Sequence, residues 1–250
     1  MKVLPTSILR FDSLGSTNTE AARQAAEGVA EGLCVVADEQ TAGRGRFERQ
    51  WISPKGAGLY FSIVLRPQID QSGWPLLTMM ASLAVYEALA EACDLHVDIK
   101  WPNDILVNEQ KLCGILAETL DTKAGRAVII GIGINLTSEA IPLDLHQSAT
   151  SVQSVTGKPC ELEKVLWALV RALERNYDLA QSADGKERIL QEWCARSSYA
   201  RGKRIRVEDR NETIEGVTCG VERDGALRVE TDAGELRIVR TGDVTGVRSR

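Results

Sequence analysis

The chain has 250 residues, 44% hydrophobic and 26% charged, with a formal net charge of −5. That length holds one sizeable domain and a small one, and an acidic balance argues against a dedicated nucleic-acid binder, whose affinity rests on neutralising phosphates. No apolar run suggests a bilayer span, Met1 to Thr6 carries no signal-peptide core, and six scattered cysteines without a C-x-x-C read as reduced thiols of a cytoplasmic protein. His96 and His146 lie far from any cysteine pair, so zinc is not indicated.

Residues 8–14 form a short strand-like run ending at Gly15, and Ser16-Thr17-Asn18 with Glu20 opens a predicted helix reaching about residue 31. Ser, Thr and Asn are good helix caps. Three small polar side chains at a helix start beside a strand end also suit ligand hydrogen bonds, and both roles can coexist. Residues 33–38 read as a buried strand. Residues 40–51 follow, Gln-Thr-Ala-Gly-Arg-Gly-Arg-Phe-Glu-Arg-Gln-Trp, with two glycines and three arginines. Glycine permits close approach of backbone to ligand, and arginine offers a charged planar fork for carboxylate or phosphate. Alone, the segment reads equally as a solvated loop.

Residues 58–66 are rich in β-formers and stop at Pro67. Residues 75–93 make the clearest helix, with Pro75 in the first turn and an apolar stripe of Leu77, Met80, Leu83, Ala84 and Leu89. Residues 97–104 read as a strand closed by a Pro-Asn-Asp turn, and 105–118 as a hairpin with Lys111 opening its second strand. Residues 126–134 form an apolar strand in which Gly131 and Gly133 signal close approach of a backbone or ligand. A short helix is expected near 148–155, and longer ones over 162–180 and 185–196. After residue 199 come short β-like runs at 204–208, 213–221, 226–231 and 235–240. They are separated by turns such as Asp209-Arg210-Asn211, the texture of a small barrel.

The polar clusters then align in order: Ser16-Thr17-Asn18, Gly43-Arg44-Gly45-Arg46, Trp51, Lys100-Trp101-Pro102-Asn103-Asp104, Lys111-Leu112-Cys113-Gly114-Ile115-Leu116 and Gly131-Ile132-Gly133-Ile134-Asn135. Together they resemble the biotin protein ligase family, the biotin–[acetyl-CoA-carboxylase] ligases, over nearly the whole chain. The resemblance implies an α+β fold. A mixed sheet with flanking helices, related to class II aminoacyl-tRNA synthetase cores, would occupy residues 1–198, and a small SH3-like β-barrel residues 199–250. With the first motif at residue 16, it points to the monofunctional class without a DNA-binding domain. One departure is visible: the family's further glycine after G-R-G-R is replaced by Glu48, which could stiffen the loop or pair with an arginine.

The implied chemistry has two steps, activation of biotin by ATP to biotinyl-5′-AMP and transfer to a lysine of a biotin carboxyl carrier protein. Two unit charges about 4 Å apart repel by roughly 4 kcal/mol at an effective dielectric near 20, so fixed cations have work to do in the first step. By resemblance, Ser16, Thr17, Asn18, Gln40, Gly43, Arg44, Gly45, Arg46, Lys111 and Gly114 bind biotin. Arg46, Trp51, Asn103 and Asn135 bind ATP, and Arg44, Arg46, Lys111 and Asp104 carry catalysis. Mg²⁺ is expected on the phosphates, with Asp104 as its nearby carboxylate or as the group that orients the incoming lysine. No nucleic acid or membrane partner is implied, and monomer and homodimer both stay open. A lipoate or octanoate protein ligase of the same superfamily and a non-enzymatic sensor of biotinyl-AMP are the rival readings.

Overall fold

The computed structural model of the protein describes residues 4, 6–209 and 212–246. Arg210 and Asn211 of the turn expected after residue 208 lie outside the described residues, as does most of the leading hexapeptide. Strand β3 (Gly58–Leu65) is buried at all eight positions. Covered on both faces, it reads as a continuous apolar run rather than an alternation. It sits inside a seven-stranded sheet with β1 (Ser7–Phe11), β2 (Leu33–Ala37), β4 (Asp98–Lys100), β5 (Asp104–Val107), β6 (Gln110–Thr122) and β7 (Gly125–Asn135). The order is β1-β2-β3-β7-β6-β5-β4, with β1 and β2 parallel and every other neighbour antiparallel.

One face of this sheet carries α1 (Thr17–Ala26). The helix ends short of residue 31 because Gly28, at φ 95°, turns the chain. The other face carries α2 (Leu76–Cys93), and α4 (Leu162–Ala180) and α5 (Gly185–Arg196) pack outside it. The single apolar stripe expected on α2 is a misreading. Leu76, Met79, Ala81, Val85 and Ala88 are buried along with Leu77, Met80, Leu83, Ala84 and Leu89, because the helix is enclosed between sheet and helices and needs no polar face. Its 18 residues are also long and apolar enough to cross a bilayer, contrary to the sequence reading, yet 61% of them are buried inside the protein. The short α3 (Val152–Thr156) is N-capped by Ser151, whose side chain accepts from Ser154 N.

Five strands follow, β8 (Arg201–Glu208), β9 (Thr213–Val221), β10 (Leu227–Thr231), β11 (Leu236–Val239) and β12 (Asp243–Gly246). They form an antiparallel sheet in the order β11-β10-β9-β8-β12, without a ladder between its two outer strands among the described residues. Trp101, which the sequence suggests merely shapes a turn, is buried, and its indole Nε1 donates to the Gly225 carbonyl at 3.0 Å, joining the two sheets. The Trp101-Pro102 peptide is cis. All six cysteines are free thiols.

Candidate active site

Strand periodicity builds the floor of the site. Tyr60 and Ser62 of β3 lie opposite Gly133 and Gly131 of β7, and Gly114 and Leu116 of β6 lie opposite the same two glycines. Successive strand residues face opposite ways, so the glycines leave shallow notches on the face toward α1. Those notches are filled. A Cβ on Gly131 would stand 2.1 Å from Asn18 Oδ1, and one on Gly133 would stand 2.5 Å from the Trp51 indole Nε1. That buried indole nitrogen has no hydrogen-bond partner among the described residues. Above the floor opens a cleft of about 1210 Å³, more than one small-molecule ligand needs, since such pockets run to roughly 1,000 Å³.

Neutral hydrogen-bonding groups make one wall. Ser16 stands at the N-cap of α1 but makes no side-chain capping bond. Thr17 directs its backbone N–H (2.8 Å) and hydroxyl (3.1 Å) at Gln40 Oε1. Gln40 Nε2 donates to Ser53 Oγ at 2.8 Å. Asn18 Nδ2 donates to Glu118 Oε2 at 2.8 Å and to the Leu116 carbonyl at 3.3 Å.

Cations make the other wall. Lys111 Nζ lies 2.6 Å from Asp104 Oδ1 and 5.4 Å from the Trp51 ring centroid, and Lys100 Nζ lies 3.7 Å from Asp104 Oδ2. Burial, seconded by Lys111, holds the Lys100 ammonium below the ordinary lysine range, against the opposing pull of Asp104. Arg44 pairs with Glu118 at 2.5 Å. Arg46 Nη1 donates to Asn103 Oδ1 at 3.1 Å and to the Gly242 carbonyl at 3.4 Å. Burial lowers the Arg46 pKa from its ordinary value, with Asp243 and Asp104 opposing the shift. Arg49 pairs with Asp243 at the start of β12. The arginine loop therefore spans from one sheet to the other.

Ser16, Thr17, Asn18, Gln40, Arg44, Gly45 and Arg46 all line this one cleft, as do Trp51, Asn103, Asp104, Lys111, Gly114 and Asn135. Gly43 does not. A Cβ there would meet the Trp51 carbonyl at 2.3 Å, and Trp51 N donates to the Gly43 carbonyl at 2.9 Å, so Gly43 closes the loop on itself where no side chain fits. Asn135 is buried, and its Nδ2 donates to the Thr150 carbonyl at 3.1 Å. The Lys111 backbone holds the same segment by bonds to Ser148 and Thr150. Glu48 makes no ion pair among the described residues and stands at φ 60°, the left-handed region that glycine enters freely and other residues enter at a cost. The family's glycine at this point thus has a conformational reason.

The expectation of Asp104 as a metal ligand fares poorly, because both its oxygens already face ammonium groups. No group of three His, Cys, Asp or Glu side chains able to hold a metal occurs among the described residues, so a bound Mg²⁺ would draw most of its ligands from phosphate and water.

Lys100, Ser62, Glu118 and Asp243 were not singled out by sequence. Lys100 lies inside a recognised motif. Ser62 is a lone hydroxyl in an apolar strand. Glu118 follows Gly114 by four residues and so shares its face, a signal that alternation alone carries. Asp243 carried no local signal.

Residues 11–135 match the biotin/lipoate A/B protein ligase family, and residues 201–245 match the biotin protein ligase C-terminal domain. A bifunctional ligase/repressor BirA of Bacillus subtilis (strain 168) is 37% identical over 243 residues, 95% of this chain and 73% of the relative. A biotin–[acetyl-CoA-carboxylase] ligase of Paracoccus denitrificans is 37% identical over 227 residues, 88% of this chain and 92% of the relative. A solved biotin protein ligase from Aquifex aeolicus, in complex with biotin and ATP, superposes with a TM-score of 0.83 at 30% identity, covering 97% of this chain and 99% of that one.

Proposed function

The chain belongs to the biotin/lipoate A/B protein ligase family and is a ligase, and from that premise we propose that it joins biotin to ATP as biotinyl-5′-AMP and passes the biotinyl group to a lysine of a biotin carboxyl carrier protein. The observation that carries this reading is a single cleft lined both by the neutral groups Thr17, Asn18 and Gln40 and by the cations Arg44, Arg46, Lys100 and Lys111. An uncharged ureido ring wants donors and acceptors without net charge. A carboxylate approaching a phosphate wants fixed cations.

In the first step a carboxylate oxygen of biotin attacks the α-phosphorus of ATP, and the bond to the bridging oxygen breaks to release pyrophosphate. Lys111 and the two arginines offset the repulsion between the anions, and Asp104 holds the Lys111 and Lys100 ammonium groups in place. Trp51, Asn103 and Asn135 serve the nucleotide side. In the second step the carrier's neutral lysine amine attacks the acyl carbon, and the bond to the phosphate oxygen breaks to release AMP. Mg²⁺ enters only as a companion of the nucleotide, and no step depends on a protein-held ion. We assign the chemistry to residues 1–198, with residues 199–250 bracing the loop through Asp243 and Gly242. The cytoplasm is the proposed place of action.

The experiment is ATP–pyrophosphate exchange with biotin, lipoate or octanoate, followed by mass measurement of a carrier domain after incubation. Exchange that depends on biotin, and a biotinyl mass added to the carrier, are expected. The matched family description also names lipoate, so exchange with lipoate and none with biotin would replace this reading by the second one.

A further inference from the structure

Ser62 has a buried hydroxyl in the middle of an apolar strand, at 0% exposure, and it does not itself line the cleft. A buried hydroxyl costs free energy unless it is hydrogen-bonded. Both partners it finds belong to the neutral wall: Ser62 Oγ donates to Asn18 Oδ1 at 2.6 Å and stands 2.7 Å from Thr17 Oγ1. From Asn18 the chain of contacts continues to Glu118 and Arg44. From Thr17 it continues to Gln40, to Ser53, and to the Trp51 carbonyl, which accepts from Ser53 Oγ at 3.1 Å. Ser62 is the middle link of a chain whose two ends are the start and the finish of the arginine loop.

An amide side chain can turn either its oxygen or its nitrogen to a given neighbour, and only the partners decide which. Asn18 gives its nitrogen to Glu118 and Leu116, so its oxygen must face β3. Across the ladder from Ser62 stands Gly131, which has no side chain to donate, and Asn18 Oδ1 fills its notch. Ser62 gives its single hydroxyl proton to the oxygen so placed, adding a third hold to those of Glu118 and Leu116, and its own oxygen lies against the Thr17 hydroxyl. We propose that Ser62 is a positioning residue for the neutral ring of the acid substrate. It holds the Asn18 amide and the Thr17 hydroxyl in place at the edge of the cleft without touching the substrate. This inference rests on the reading of biotin as that acid.

The test uses Ser62→Ala and Ser62→Cys in the full chain. Cysteine keeps the shape but is a weak donor, so an effect shared by both variants reports the lost hydrogen bond rather than a cavity. Initial rates of ATP–pyrophosphate exchange give kcat and the KM of each substrate, and thermal denaturation reports folding. In both variants the KM for biotin should rise on the order of tenfold, the scale of one buried hydrogen bond. The KM for ATP should stay within about twofold, and kcat should fall less than KM rises. A folded Ser62→Cys with the wild-type KM for biotin overturns the proposal. So do equal rises for biotin and ATP, or a failure of both variants to fold, since each assigns Ser62 to the fold. Wild-type protein that shows no biotin-dependent exchange removes the functional reading itself, and the proposal falls with it.

Discussion

The two faces of the seven-stranded sheet use the same strands for different ends. Toward α2, β3 and β7 present Leu59, Phe61, Ile63, Ile130, Ile132 and Ile134, all part of one continuous apolar core. Toward α1, the intervening positions of those strands are Tyr60, Ser62, Gly131 and Gly133. They carry a serine bonded to two cleft residues and two glycines whose missing side chains leave room for Asn18 and Trp51. Because side chains alternate, one strand can secure the fold on one side and shape the cleft on the other. Substitutions one residue apart should therefore separate stability from activity.

The largest expected effect is on the α2 face. Ile130→Ala should cost about 2–5 kcal/mol of stability by leaving a cavity, read from the denaturant midpoint, while the KM for biotin of the folded fraction stays within roughly twofold. On the cleft side, Lys111→Ala should leave that midpoint near wild type and slow adenylate formation by roughly 10²–10³, about 2.7–4 kcal/mol of barrier. Near-normal pyrophosphate exchange in this variant would deny Lys111 its electrostatic task.

Gly131→Ala, adjacent to Ile130 but facing the other way, should push Asn18 out of its notch and raise the KM for biotin by roughly ten- to a hundredfold. If it lowers stability as much as Ile130→Ala and leaves KM alone, the division between faces is wrong. Arg46→Gly should still form some biotinyl-AMP but release it about tenfold faster, the worth of one charge-assisted hydrogen bond. Incubation with biotin, ATP and a bystander albumin reads this directly, with label on the albumin expected only from the variant. Release and labelling equal to wild type would remove Arg46 as the retaining group.

The smallest effect concerns pH. The folded pKa of Lys100 is lowered, first by burial, so between that value and the ordinary one near 10.4 the unfolded chain binds more protons than the folded one. Stability from this group accordingly rises with pH across that window, and its penalty is fully present below it. Wild type should gain on Lys100→Met in urea melts as the pH rises toward the ordinary lysine value near 10.4, because methionine does not titrate. A constant or opposite difference would show that the Asp104 pairing outweighs burial.

Much of the architecture was legible in the chain. Residues 162–180 and 185–196 are helices with the expected ends, and 213–221 is a strand with the expected ends, because apolar periodicity and turn residues mark them locally. Helix α2 was found and its expected stripe is buried, but the further burial of Leu76, Met79, Ala81, Val85 and Ala88 depends on α4 and α5, which come some 70 residues later or more. Of the candidate site residues, nearly all of those within contiguous motifs line one cleft. Those whose role comes from a distant partner were not singled out. Ser62 meets Asn18 across 44 positions, Asn18 meets Glu118 across 100, and Arg49 meets Asp243 across 194.

By itself, then, the sequence determined most of the elements, though not β12, together with the cations, the small polar cluster at residues 16–18 and the glycines at 131 and 133. These follow from residue chemistry and local spacing, which no partner is needed to read. Tertiary structure alone decided that Gly43 braces the loop, that Asp104 lies between two lysines, and that Ser62 links the neutral wall to the arginine loop. The reason is register. An alternating strand carries two faces of equal standing until pairing and burial choose which one meets the core, and that choice is made by the assembled sheet rather than by any one strand.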